Sequence, residues 1–326
     1  MSVESNLEIY KIVLGRKTFK DVIYEKNDIP AETEKTNQEI FNILFANILN
    51  KLTQNSAWTS EKTKLGLALF TNNGEEANTI LASHSNSNII EGYIDGGLYD
   101  KIRTIAQTSN VAERELLGRD KMVADRYYIY LHCPIGSKVG LLFLEHKKGL
   151  NIHHAVQIFL EEILKTKRYR IKLERFVPQT IINEYQNGGV IDSFTFTDVL
   201  AAPVIDGEGA EPAERNFNVS IKISIPDGER PDYNALQNVL TQLGQATVNL
   251  GTGIKRLADF NTQKGSLKKE ERKYLFEINN GLKIKPVIPI DDNFQDEEHG
   301  KLKRVEIKGM CDEVLEQIRQ EIYPVV

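Results

Sequence analysis

The run Lys165-Thr166-Lys167-Arg168-Tyr169-Arg170-Ile171-Lys172-Leu173-Glu174-Arg175 places six cations within eleven residues. Lysine and arginine pair with phosphate oxygens, and an interleaved tyrosine offers a ring on which a base can stack. Alternation of Tyr169, Ile171 and Leu173 puts Arg170 and Lys172 on the opposite face of an extended segment. Lys165, Lys167, Arg168, Arg170, Lys172 and Arg175 are therefore the candidate nucleic-acid contacts. The same run also fits a solvated edge strand that uses charge to block aggregation. A second basic group, Lys264, Lys268, Lys269, Arg272 and Lys273, is interrupted by Glu270 and Glu271 and reads as a salt-bridged helix or loop surface.

Carboxylates offer a different chemistry. Asp291, followed by Val305-Glu306-Ile307-Lys308 and a helix containing Gln317, matches the Asp…Glu-x-Lys spacing of metal-dependent nucleases. There two carboxylates hold Mg²⁺ against the phosphoryl group and the lysine polarises the attacking water or the phosphate. Asp291, Glu306 and Lys308 are the catalytic candidates of this alternative, and Mg²⁺ is its cofactor. An ordinary charged hairpin has the same spacing.

Histidine supplies weaker signals. His153-His154 opens a helix, where adjacent residues do not share a face, and no upstream partner has metal-ligand spacing. His132 and His146 flank a hairpin in a register the sequence does not fix. Gly251-Thr252-Gly253 lacks the third glycine and the strand-helix setting of a dinucleotide loop. The sequence contains neither a Gly-Lys-Ser/Thr phosphate loop nor a Gly-x-Ser-x-Gly elbow, so no cofactor is expected outside the Mg²⁺ alternative.

The elements that must position these groups centre on Asp125 to Arg175. Two aromatic-rich apolar runs, Tyr127 to Leu131 and Val139 to Glu145, are joined by Pro134-Ile135-Gly136-Ser137, and a helix follows from about Ile152 to Lys165. Upstream, Leu7 to Leu14 reads as a first strand with Asp21-Val22-Ile23-Tyr24 as a possible partner. Thr36 and Glu39 form a capping box ahead of Ile40, Ile43, Leu44, Ile48, Leu49 and Leu52 at helical spacing. Leu65 to Thr71 runs through Asn72-Asn73-Gly74 into Thr79 to Ala82 as a hairpin, and Ile89 to Ile94 ends in Asp95-Gly96-Gly97.

Downstream, Val190 to Thr197 and Phe217 to Ile225 are strands separated by an exposed loop, Asp206 to Arg215. Pro231 to Gly251 is helical. Lys283 to Ile290 and Leu302 to Ile307 form a hairpin, and Asp312 caps a final helix. Strands and helices mix without βα alternation, which predicts an α+β fold of mixed, mainly antiparallel sheets with packed helices. A boundary near residue 180 gives two α+β domains, 1–180 and 181–326.

Bulk composition excludes several classes. Hydrophobic content of 40% and charged content of 27% fit a globular chain, not a disordered one. Two distant cysteines, Cys133 and Cys311, make neither a disulfide framework nor a zinc site and suit a cytoplasmic setting. Glu4, Glu8 and Lys11 stand where a signal peptide would need an apolar block, and no run approaches the roughly 18 apolar residues of a membrane helix, so neither export nor membrane insertion is expected. A net charge of −5 argues against a uniformly basic binder but allows a local phosphate-binding patch.

Three blocks, in this order, carry a resemblance: Glu91-Gly92-Tyr93-Ile94-Asp95-Gly96-Gly97; the hairpin Tyr128-Ile129-Tyr130-Leu131 to Gly140-Leu141-Leu142-Phe143-Leu144-Glu145; and the segment from Ile284 to Ile322. Across residues 60 to 326 this order of elements resembles the RexA-like phage-exclusion proteins and related prokaryotic anti-phage proteins. The resemblance implies an intracellular phage-defence role, DNA binding of little sequence preference, and self-association as a homo-oligomer. It supplies no catalytic residue. DNA is the expected partner, with RNA a second polyanion of the same chemistry and a further defence-system protein a possible companion. A protein-interaction module whose positive edge meets an acidic partner is the remaining alternative.

Overall fold

The computed structural model describes the chain outside residues 1–4, 54–55, 72–75, 107–113, 148–150, 166–170, 180–181, 184–186, 205–212, 251–252, 270–271, 279–282, 286–287, 291, 297–300 and 324–326. The class is α+β, as the sequence predicts. The chain divides into one unit made of Met1–Phe176 and Ile288–Val326 and a second made of Val177–Val287. The expected 181–326 domain is therefore corrected. The C-terminal segment returns to the first unit because Asn6 and Leu7 of the first strand pair with Pro289 and Ile288.

The first unit contains β1 (Ser5–Val13), α1 (Phe19–Lys26), α2 (Asn37–Leu52), β2 (Trp58–Ser60), β3 (Leu65–Ala68), α3 (Ala77–Ile80), β4 (Leu81–His84) and β5 (Ile89–Leu98). It continues with β6 (Arg103–Ala106), β7 (Arg114–Leu117), β8 (Val123–His132), β9 (Val139–Lys147), α4 (His153–Leu164) and β10 (Lys172–Arg175). Its main sheet is antiparallel in the order β10-β1-β9-β8-β5-β3-β2, with β4 also on β5. The expected hairpin is the β8–β9 pair, in which Tyr130 faces Phe143.

Period-2 geometry sorts the sheet into two faces. Ile90, Ile94, Ile129 and Leu131 join Ile48 and Leu52 of α2 and Val156, Phe159 and Leu160 of α4 around a small apolar cavity. Tyr128, Tyr130, Glu91 and Tyr93 occupy the opposite face.

Several elements differ from their sequence reading. Asp21 to Tyr24 lies in α1 and not in a strand, because Thr18 and Asp21 form a capping box that outweighs the β-branched pair Val22-Ile23. β3 pairs with β2 and β5, not with β4, and Thr79 and Ile80 end α3. β5 runs on through Gly96 and Gly97. At Gly97 a Cβ would sit 1.9 Å from the Val123 carbonyl oxygen, so glycine there lets β8 approach and extends the pairing.

α2 follows the sequence: the Thr36 side chain accepts from Glu39 N–H while Glu39 accepts from Thr36 N–H. Thr36→Ala should lower stability by about 1 kcal/mol. Urea unfolding checks this, and an unchanged midpoint would remove the cap from the account.

The second unit contains β11 (Val190–Val204), β12 (Ala213–Ser224), α5 (Leu236–Gln245), β13 (Thr247–Asn249), β14 (Ile254–Arg256), β15 (Thr262–Lys269), β16 (Arg272–Glu277) and β17 (Lys283–Lys285). Its sheet order is β12-β11-β15-β16-β17, over a core of Ile191, Phe194, Phe196, Leu236, Leu257, Phe260, Leu267 and Phe276. Of the expected Asp206 to Arg215 loop, Ala213 to Arg215 pair with β11 as strand, and 206–212 lie outside the described residues. The expected helix over Pro231 to Gly251 is shorter, and Thr247 to Asn249 are strand. The second basic group is neither helix nor loop but the β15–β16 hairpin, where Lys268 faces Lys273 and Lys264 faces Glu277.

The first unit closes with β18 (Ile288–Pro289), β19 (Gln295–Asp296), β20 (Lys301–Leu302) and α6 (Arg304–Ile322). Among the described residues no pairing joins 283–290 to 302–307: Lys283 to Lys285 pair with β16, and Leu302 pairs with Gln295. Asp312 is inside α6 and caps nothing. Ile307, Cys311, Leu315, Ile318 and Ile322 form the buried stripe of this helix at 3.6-residue spacing. The apparent strand alternation of Val305 with Ile307 fails because Val305 is 81% exposed.

Candidate nucleic-acid interface

The basic run does not form one edge. Lys165 is exposed directly after α4, three residues beyond Glu162. That carboxylate binds Lys51 of α2 at 2.8 Å and the Trp58 indole N–H at 2.6 Å, and Trp58 belongs to β2, at the sheet border opposite β10. Lys167, Arg168 and Arg170 lie outside the described residues. Lys172 is exposed and pairs with Val13, whereas Arg175 pairs with Tyr10 and its side chain meets Glu8 at 2.9 Å. Positions 172 and 175 differ by an odd number, so their side chains leave opposite faces of the strand.

The fold brings other cations to Lys172. Val13 lies between Lys172 on β10 and Val139 on β9, two strand spacings or roughly 10 Å across. Lys138 precedes Val139, and its carbonyl accepts from Leu14 N–H at 2.9 Å. The β8–β9 turn also accepts from Phe19 N–H through Ser137 and from Lys20 N–H through Ile135. Arg16, Lys20, Lys138 and Lys172, all exposed, thus come from three chain segments to the same end of β10, β1 and β9, with Lys172 leaving the sheet face opposite the one that α1 covers.

Two carboxylates near this corner are already engaged, while Glu174 is exposed two residues along β10 from Lys172, on the same face. Glu25 pairs with Lys17. Burial pushes the Asp21 carboxyl up, but the Thr18 N–H and hydroxyl that donate to it, with Lys17 and Lys20 beside it, hold it below the usual range. Lys20 lies 5.5 Å over the Tyr24 ring, so the corner joins cations to an aromatic face. Outside the run that contains Lys172, Arg16 to Lys20 carry three cations and Lys138 stands alone, so those two segments give no local sign of the cluster.

Of the nuclease candidates, the two described ones, Glu306 and Lys308, do not converge. Glu306 and Lys308 are two residues apart on α6 and point to different sides of it. Glu306 is exposed, while Lys308 binds Asp312 at 2.6 Å. Asp291 lies outside the described residues. Among the described residues no group of three His, Cys, Asp or Glu is placed to hold a metal ion.

Sequence reasoning missed the polar network under α6. Buried Glu91 receives Arg304 Nε at 3.1 Å and Nη2 at 2.8 Å, Tyr128 Oη at 3.2 Å, and lies 3.1 Å from His84 Nε2. Arg304 also binds the Thr79 carbonyl, and Tyr130 donates to Asp312 at 2.7 Å. Nearby Glu145 accepts from Ser5 Oγ and Tyr128 N–H, and burial raises its carboxyl pKa against the opposing pull of Lys147. Every donor of Arg304 that takes part is directed at protein acceptors, so the network anchors a helix to a sheet.

The histidines fall into separate places. His132 lies opposite Leu141 in the hairpin, five residues before His146, so the two are roughly 17 Å apart along the strand. His153 and His154 do meet, contrary to expectation, with ring centroids 3.9 Å apart. His153 is the first residue of α4, where the preceding chain is not helical and leaves its ring room to turn.

His132 is buried, lies 3.0 Å from the Tyr323 hydroxyl, and has its pKa lowered to about 4 by burial and then by Arg319. The unfolded chain takes up this proton near 6.5, before the native protein does. Stability should therefore fall as pH drops from about 6.5 towards 4, by up to about 3 kcal/mol from this group. Urea midpoints at pH 7 and pH 5 should diverge more for the natural chain than for His132→Gln. Equal losses would contradict the assignment.

No family model matches the chain, and no curated protein matches it. Among the described residues no helix is long and apolar enough to cross a membrane.

Proposed function

We propose that this protein binds nucleic acid with little sequence preference through the corner formed by Arg16, Lys20, Lys138 and Lys172. The observation that carries the reading is their convergence from three segments, at a site whose nearby acids Glu25 and Asp21 already have partners. Four exposed cations on a turn, a helix, a hairpin loop and an edge strand match repeating phosphates better than a single small anion, and they carry no base-reading geometry. DNA is the proposed ligand and RNA shares its backbone chemistry. The resemblance in element order extends the proposal to an intracellular phage-exclusion role with self-association.

Fluorescence anisotropy with labelled single-stranded and duplex DNA and RNA tests the reading. The expected result is salt-sensitive binding that leaves the probe intact on a denaturing gel run after incubation with Mg²⁺. No binding to any probe at low salt would discard the reading in favour of a protein partner. A fragmented probe would demand a catalytic site elsewhere than Glu306 and Lys308.

A further inference from the structure

A second group of polar side chains lies on the α4 side of the same sheet. Asn6, Glu8 and Tyr10 alternate along β1; His146 is opposite Asn6 on β9, and Arg175 is opposite Tyr10 on β10. The Tyr10 ring stacks on His153 at 5.9 Å and 12°, and His153 meets His154. Four elements thus bring three histidines, one arginine, one tyrosine and one glutamate together.

Glu8 is satisfied within the group: Arg175 Nη2 lies 2.9 Å from one oxygen, and the Tyr10 hydroxyl donates to the other. Arg175 is not satisfied, because its Nε is buried and has no hydrogen-bond partner. An orphaned buried donor on a charged group is costly unless something accepts from it.

His153 is poised in a particular tautomer. Asn151 Oδ1 accepts from the His153 backbone N–H at 2.9 Å and lies 2.6 Å from His153 Nδ1. The shared oxygen requires the proton on Nδ1, which leaves the Nε2 lone pair to take up a second proton. Burial, then His154, lowers the His153 pKa, with Glu8 opposing and Arg175 and His146 adding to the fall. Within the cluster Arg175 is paired with Glu8. Protonating its histidines creates a positive site lacking a counter-charge.

We infer that Arg175, His146, His153 and His154 form a proton-gated site for a tetrahedral oxyanion of the phosphate class. The anion accepts from the free Arg175 Nε–H and from protonated His153 Nε2, so anion binding and proton uptake favour one another. None of these residues belongs to the corner, and the inference does not depend on the nucleic-acid reading.

Histidine NMR titrations of the full chain in sulfate and in chloride, at equal ionic strength, test this. Sulfate keeps its charge across the range, so pH acts through the protein alone. The expected result is a higher His153 midpoint in sulfate and binding about tenfold tighter at pH 6 than at pH 8. Arg175→Lys keeps a cation for Glu8 but deletes Nε–H, and should weaken sulfate binding about fivefold; His154→Gln, at an exposed position, should weaken it as well.

Identical titrations in the two salts would overturn the site, as would an undiminished sulfate effect in both variants. The Arg16, Lys20, Lys138 and Lys172 to Gln variant should retain the sulfate shift, and its loss there would place the anion at the corner instead. Comparing an oligonucleotide with and without a 5′-phosphate at pH 6 separates the sources. Tighter binding of the phosphorylated strand assigns the site to a polynucleotide end, and equal binding assigns it to a free phosphate or small phosphoester.

Discussion

Arg304→Met should destabilise the protein by about 3 kcal/mol, with urea unfolding as the measurement. Glu91 is 2% exposed and would lose the guanidinium that now meets both its oxygens and its own backbone carbonyl. Tyr128 and His84 would remain as hydrogen-bond partners. Arg304 is itself 27% exposed, which places the expected loss at the lower end of the range for a broken buried pair. Adding Glu91→Gln to Arg304→Met should recover much of the loss, because the remaining group is then neutral. A loss below about 1 kcal/mol in the single variant would show that α6 does not depend on this anchor.

The second large effect is on binding. Replacing Arg16, Lys20, Lys138 and Lys172 together by Gln should reduce affinity for single-stranded or duplex DNA by about 10²–10³-fold near 0.1 M salt. Each cation that neutralises a phosphate releases a counterion, so the losses accumulate in the logarithm of the binding constant. The four side chains are exposed, and the one charged partner seen for them among the described residues is Asp21, which Lys20 faces. Unfolding midpoints should therefore stay within about 0.5 kcal/mol of the natural chain, which keeps the binding result interpretable. Replacing Lys165 alone should have little effect on binding, since it belongs to the end of α4 that is tied to Lys51 and Trp58.

The contrast between these groups shows which parts of the structure were legible in the sequence. The α2 helix was, because Thr36, Glu39 and the apolar spacing after them are local signals that agree. So was the β8–β9 hairpin with α4 behind it. The class of the fold followed from the order of such segments. By contrast, Arg304 and Glu91 are 213 residues apart, and nothing local to either announces the pair.

The insertion of Val177–Val287 between β10 and β18 hid the return of the C-terminal segment to the first sheet. A charge-rich helix with one narrow apolar stripe then read as a nuclease-like hairpin, since Glu306 and Lys308 satisfy a spacing pattern in either conformation. At the basic stretch the composition was informative and the geometry was not. Only Lys172 of the described cations in that run reaches the corner, while Arg16, Lys20 and Lys138 arrive there through hydrogen bonds between the β8–β9 turn and residues 14–20.

The most direct test of the central claim is the salt dependence of DNA binding, measured by anisotropy for the natural chain and the four-residue Gln variant side by side. If the corner neutralises phosphates, the plot of log affinity against log salt should flatten by about 3 units in the variant, with weaker binding at every salt concentration. Parallel plots from two folded proteins would mean that the corner makes no phosphate contact, and would contradict the proposed interface.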